Sequence, residues 1–484
     1  MQVPLLNLKL LYFLYYAAKS CFVVLLPVFF QANGLSESQI GILFALRPFI
    51  SCWASPFLSA LADSFHLHSI MLLCALCLSF LVRYLFLVSP EFHYTIIWIV
   101  ITSIVDAPIE PIIDTFVMRQ LDDVTDFGRV RVWAASGFGI FSLITGFVVS
   151  ETSLGWDGMF GLYWLCMLFT LFSSFFVVKE KLKCCNKLYS KVTEDFEETY
   201  ENPEVERELF KKAVIPQFDE ERNETDTKKM QDSIESVSED NFITNALCEE
   251  NYDAPISNFP AVTFSPTQTV EKAASISQEL LKIVKVPKNI MFFFILFIGG
   301  CSQGIIECFL YIHLKNLGCN EALMGLARGV TGVAAVLCFR YASFFIKLFG
   351  EYGVLGLALL AFIVRFMYFT LLPFLPLWAI LPAETLHGFT HSTLWASSTS
   401  IAFKIAPSHL KTTLQGIIIG LHGGVGFGSG ALVGGYIFEA YGAEILFRFG
   451  AITVGMALFF FILEKGTVRV KIPFLKKMLF SQRS

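Results

Sequence analysis

Residues 105–133 read VDAPIEPIIDTFVMRQLDDVTDFGRVRVW, and the fold is decided by how this stretch is read. Three acids, Asp106, Glu110 and Asp114, stand four residues apart in an otherwise apolar run. A helix turns about 100° per residue, so each acid sits only about 40° from the last and an unbroken helix carries all three on one face. Arg129 and Arg131 then open the next apolar run. Ionisable side chains are costly within a membrane helix, and there they mark a cavity or pathway rather than a lipid-facing surface.

The composition around this stretch makes the membrane reading firm. Of 484 residues 55% are hydrophobic, 51 are Phe and only 16% are charged, against about 25% charged in globular domains. Mean hydropathy is +0.62. The apolar residues gather in runs of about 18 or more, long enough to cross roughly 30 Å of hydrocarbon. The first run, Leu5 to Phe30, is too long for a cleavable signal peptide. Hydropathy places spans near 6–31, 38–61, 68–88, 92–119, 129–150 and 157–178, then near 288–313, 322–348, 352–372, 375–403, 411–438 and 443–463. The expected fold is all-α, with twelve transmembrane helices in two pseudo-symmetric six-helix halves.

Four regions follow: an N-terminal half (1–179), a linker (180–287), a C-terminal half (288–465) and a basic tail (466–484). The net charge of −5 hides a division, because residues 190–282 hold 22 acids and nine bases. That segment carries −13 and leaves about +8 to the rest. Runs such as EDFEETYENPEVERE bury too little apolar surface to fold, so the linker is expected to be mostly disordered. Orientation follows from the basic residues. Arg119, Arg129, Lys179, Lys181, Lys347, Lys404, Lys411 and Lys465 fall on one side, while the other side holds almost only Lys315. Both termini and the linker are therefore expected in the cytoplasm, which leaves the sequon at Asn223 unmodified. A faint repeat supports a duplication: Gly34-Leu-Ser-Glu37-Ser-Gln-Ile-Gly41 and Gly318-Cys-Asn-Glu321-Ala-Leu-Met-Gly325 share GxxExxxG at an offset of 284 residues. Two six-span halves joined by a linker describe a transporter with its site between them.

Several segments resemble the major facilitator superfamily, in the branch of lactose permease and the nucleoside:proton symporters. They include LRPFISCWASPFLSALAD (46–63), PIIDTF (111–116), FGRVRVWAASGFG (127–139), ECFLYIHLKNLG (307–318), LPAETLHGFTHSTLWAS (381–397) and LQGIIIGLHGGVGFGSGALVGGYIF (414–438). The resemblance implies a central cavity open alternately to either side and, often, proton-coupled uptake. It places Arg131 where lactose permease has a sugar-binding arginine, and Phe138 where that permease has a stacking Trp. After span 2, Asp63 is kept but SFHLHS lacks the family's Gly and basic residues, which implies weaker gating contacts.

The candidate site residues each have two readings. Asp106 and Glu110 either line the cavity or pair with Arg residues of neighbouring helices, and Asp114 equally fits a salt bridge to Arg129 or Arg131. Lys19 lies about ten residues from either end of its span, too deep to snorkel comfortably, and so is expected to face the cavity. Its repeat-related position is Gln303, one turn from Glu307, so a Lys19–Glu307 or a Lys19–Glu110 pair would form a charge switch. Glu384, His387, His391 and Trp395 share one face of span 10, with Arg365 of span 9 as the expected partner of the charges there. The Glu/His pair is similar to the proton-coupling pair of lactose permease, in reverse order; polar packing between helices is the other reading.

Among the 12 Cys, Cys74 and Cys77 have CxxC spacing but lie inside a spanning run without further partners, so no metal site is expected. Cys184 and Cys185, past a span exit, are either palmitoylated or plainly structural. The glycines of 416–435 have no preceding strand and no GK[ST], and so are packing residues rather than a phosphate loop. No cofactor, metal or nucleic-acid partner is expected, and no nucleophile accompanies the histidines to suggest an enzyme. The partners expected are membrane lipid, a small polar solute and protons. The leading expectation is a proton-coupled secondary transporter; the alternative is a non-transporting receptor or regulator that keeps the fold.

Overall fold

The computed structural model describes residues 5–64, 67–118, 127–200, 278–407 and 410–465. Lipid offers the backbone no hydrogen-bond partners, so apolar runs of this length satisfy their amides internally as helices, and no strand occurs among the described residues. In the first half α1 is Leu5–Val23 continued by Leu26–Ala32, α2 is Glu37–Ser64, and α3 is His68–Val82 with a last turn at Leu85–Val88. There α4 is Phe92–Asp106 continued by Ile109–Met118, α5 is Phe127–Glu151 and α6 is Gly155–Tyr200. In the second half α7 is Pro287–Asn316, and one continuous element, Glu321–Leu371, divides into α8 (321–349) and α9 (351–371). The division is at Gly350, whose φ of 71° belongs to the left-handed region and turns the chain back. Ile380–Thr385, Gly388–Thr393 and Leu394–Ile405 form α10; Lys411–Ile419, Gly420–Gly426 and Phe427–Tyr441 form α11; Ala443–Lys465 is α12.

Among the described residues ten stretches are long and apolar enough to cross a membrane, and the longest, Glu321–Phe374, holds both α8 and α9. Dividing it and adding α10, which is interrupted by a π-helical turn, gives the twelve helices expected from hydropathy. Helix α6 runs on to Tyr200, beyond the membrane-length portion that ends at Lys179. The linker residues 201–277, with Asn223, and the tail 466–484 lie outside the described residues, as do the side chains of Asp63, Arg129, Arg131, Cys184 and Cys185.

The GxxExxxG repeat has a physical basis. Gly34 and Gly318 take φ of 83° and 85°, and so make the turns into α2 and α8. Glu37 and Glu321 stand in the first turn of those helices, where the positive end of the helix dipole favours an acid. Gln31 reaches Glu37 and Lys315 pairs with Glu321, so each acid ties back to the helix before it at matching positions. The last glycine of each motif meets the other half. A Cβ on Gly41 would stand 2.5 Å from the Ala431 carbonyl oxygen of α11, and one on Gly325 would stand 2.5 Å from the Ser142 oxygen of α5. The α2–α11 and α5–α8 seams are thus counterparts.

One expectation is corrected. The helix carrying the three acids is broken at Ala107-Pro108, between Asp106 and Ile109. Proline has no N–H for the i−4 carbonyl and its ring clashes with that turn. The acids therefore do not share one face: Asp106 turns to α3, while Glu110 and Asp114 turn to α1.

Candidate functional site

Among the described residues, two ion pairs stand out in the membrane portion of each half. In the first half Arg83 of α3 reaches Asp106 of α4 at 2.6 Å, with the side chains 6% and 16% exposed. Ser79 also donates to Asp106 at 2.8 Å, and the Arg83 guanidinium lies 4.7 Å from the Phe22 ring centre. In the second half Arg365 of α9 reaches Glu384 of α10 at 2.9 Å, with 0% and 2% exposed. Arg365 also donates to Thr390 at 2.9 Å, and Thr331 of α8 donates to the second Glu384 oxygen at 3.0 Å. Helices 3 and 4 of one half and helices 9 and 10 of the other thus hold equivalent buried pairs.

The other two pairs are partly open. Lys19 of α1 pairs with Glu110 of α4, the side chains being 28% and 34% exposed. Arg328 of α8 meets Glu307 of α7 at 3.2 Å, with 18% and 27% exposed. Gln303 donates to the same Glu307 oxygen at 2.6 Å. The Arg328 guanidinium also lies 5.3 Å from the ring centre of Phe138 on α5, so it touches both halves. Of the two partners expected for Lys19, the structure selects Glu110, and Glu307 is taken within its own half.

A cavity lies between the halves. Val23 and Val24 of α1 and Phe44 of α2 line one wall; Gln303, Glu307, Tyr311, Arg328, Glu384 and His387 line much of the other. It is partly open to solvent and is lined by both apolar and charged side chains. The halves close more tightly at the end away from the termini. There Gly146 and Gly325 leave no room for a Cβ, which would come within 2.9 Å of the Gly325 Cα, and Ser38 N–H donates to Glu439 at 2.9 Å across the seam. Gln31 of α1 donates to Asn316 of α7 at 2.9 Å at the same end. Nearer the middle the same seams are looser: a Cβ on Gly332 would stand 3.7 Å from Gly139, and one on Gly424 would stand 3.7 Å from Cys52.

The remaining candidates are dispersed. Asp114 accepts the Tyr12 hydroxyl of α1. Arg131 lies on α5, and its side chain is outside the described residues. His387 and His391 stack at 5.3 Å between ring centres, beside the π turn Gly388–Thr393 that shifts the α10 register. His387 Nδ1 is 3.5 Å from Arg365. Trp395, on the same face by spacing, instead meets His422 of α11 at 5.8 Å. Among the described residues no group of three or more His, Cys, Asp or Glu could hold a metal ion. Sequence reasoning places Arg328 within a span but gives it no partner, because nothing in the spacing tied it to Glu307 twenty-one residues earlier; in the structure it pairs with Glu307 and lines the cavity.

The comparisons with known proteins agree with this architecture. Major facilitator superfamily domain-containing protein 6-like protein B of Xenopus laevis is 27% identical over 188 residues, 38% of this chain and 29% of that protein. The maltose permease of Geobacillus stearothermophilus is 27% identical over 141 residues, 29% of this chain and 36% of the permease. These alignments span only about a third of the relatives' own length. Among solved structures, the nucleoside transporter NupG superposes with a TM-score of 0.67 at 14% identity over 95% of this chain and 99% of that one. A D-xylose-proton symporter gives 0.57 at 13% identity over 94% and 95%. The profile of the MFS_1 like family matches residues 5–449. This multi-pass membrane protein therefore belongs to the MFS_1 like family of the major facilitator superfamily.

Proposed function

We propose that the chain is a secondary transporter that moves a small polar solute by rocking its two halves about the central cavity. The observation that carries this reading is the placement of the two open ion pairs, Lys19–Glu110 in one half and Glu307–Arg328 in the other. Open charge inside a membrane is costly unless it is used, and here each half contributes one such pair. The glycine seams give the halves a packed closure at one end, while the looser contacts toward the other end suit the state open toward the termini. With the termini and the linker in the cytoplasm, that state faces inward. The nucleoside and xylose transporters of similar fold are consistent with a small polar solute.

Proton coupling follows from the same pairs. Protonating Glu110 or Glu307 removes the partner of Lys19 or Arg328 and frees a cation for the solute. Proteoliposomes loaded with the full chain test the reading: solute uptake should rise when an inward proton gradient is imposed and fall when it is collapsed. Uptake that ignores the gradient would remove the coupling. Absence of flux for every solute class, with Glu110→Gln indistinguishable from the parent, would remove transport itself and leave the receptor reading.

A further inference from the structure

The polar pattern of the cavity narrows what can occupy it, provided the transport reading above holds. The wall from the first half is apolar, with Val23, Val24 and Phe44, while the facing wall presents Gln303, Glu307 and Arg328. Gln303 is 5% exposed. Its amide nitrogen donates to Glu307 at 2.6 Å, which sets the amide's orientation, because a flipped amide would press its oxygen against the carboxylate. The amide oxygen consequently has no protein partner although it is buried at the cavity wall. A buried acceptor left this way is held at a cost that a ligand's N–H would relieve.

Beside it, Arg328 meets Glu307 through one nitrogen at 3.2 Å rather than by a two-pronged clamp. A guanidinium carries five N–H donors in a planar fork suited to a carboxylate. The described charges around the cavity balance, with Arg328 against Glu307 and Arg365 against Glu384. A ligand of net charge would add an uncompensated charge to a largely apolar chamber. A ligand bearing both signs can insert into the open Arg328–Glu307 pair and leave neither member alone.

We propose that the solute is a small zwitterion, with its carboxylate on Arg328 and its ammonium group between the Gln303 oxygen and Glu307. Because Arg328 also lies against Phe138 of the other half, the carboxylate sits where the halves meet. Occupancy there reports to both.

The test uses the purified full chain with leucine, a neutral dipeptide, uridine and maltose as probes, read by ligand-induced thermal shift and by proteoliposome counterflow. Leucine or the dipeptide should stabilise the protein and exchange, while the N-acetyl and methyl-ester forms, each lacking one charge, should bind about tenfold or more weakly. Gln303→Leu should weaken the zwitterion by a similar factor with its ligand-free melting temperature unchanged, and Arg328→Gln should abolish the preference for a free carboxylate. Binding and exchange of uridine or maltose without any response to the zwitterions would overturn this assignment and leave the transport reading intact. Failure of leucine and the dipeptide to bind or exchange would overturn this assignment whatever the other probes do.

Discussion

The two halves solve the same problem twice, with different residues. Each places an Arg on its third helix against an acid on its fourth: Arg83 with Asp106, and Arg365 with Glu384. Each also leaves one pair partly open: Lys19 with Glu110, and Arg328 with Glu307. The buried pairs join the same helices in both halves, and the partly open pairs do not, since one joins α1 to α4 and the other α7 to α8. A charge without its partner inside the half is severely destabilising, which constrains the buried pairs more than the partly open ones.

That contrast can be broken or sharpened by substitution. The largest effect is expected at Arg365→Ala, which strands Glu384 at 2% exposure. It should cost about 3–5 kcal/mol, read as loss of the monodisperse peak or of most of the unfolding transition, and the double variant Arg365→Met/Glu384→Leu should recover much of it. Arg83→Ala should follow the same course with a smaller loss, because Asp106 is 16% exposed against 2% for Glu384. Next, Gly41→Leu and Gly325→Leu should each strain one seam by about 1–3 kcal/mol. Both should shift labelling of single cysteines at the far end toward the accessible state. Equal responses at the two seams would confirm them as counterparts; a response at one alone would show that a single seam closes the gate. The smallest effect is expected at Gln31→Ala, which removes a surface hydrogen bond to Asn316 and should lower stability by about 1 kcal/mol or less.

Much of the fold was legible because lipid imposes a length and a polarity on every span. The turn into α2 and the turn into α8 were legible as well: GxxExxxG recurs because a left-handed residue, a first-turn acid and a close helix contact are each required there. The site was legible in part. Arg365 was expected to serve the charges of α10, and it meets Glu384. The stripe of acids was misread, because a four-residue spacing assumes a continuous helix and Pro108 interrupts it. Arg328 and the Gln303 amide could not be singled out, since their importance lies in a tertiary contact to Glu307 and in an oxygen left unpaired.

The division between buried pairs that hold a half together and partly open pairs that take part in transport is tested most directly by solute flux per folded molecule in two variants of the first half. In Lys19→Gln the open pair is broken; in Arg83→Met/Asp106→Leu the buried pair is replaced by apolar side chains. Both are measured in proteoliposomes after size-exclusion selection of folded protein. Flux should fall at least about tenfold in Lys19→Gln, as loss of a charge-assisted contact implies, with the melting temperature of the parent, and should persist in the double variant. Undiminished flux in Lys19→Gln, or its loss in a well-folded Arg83→Met/Asp106→Leu protein, would contradict the account.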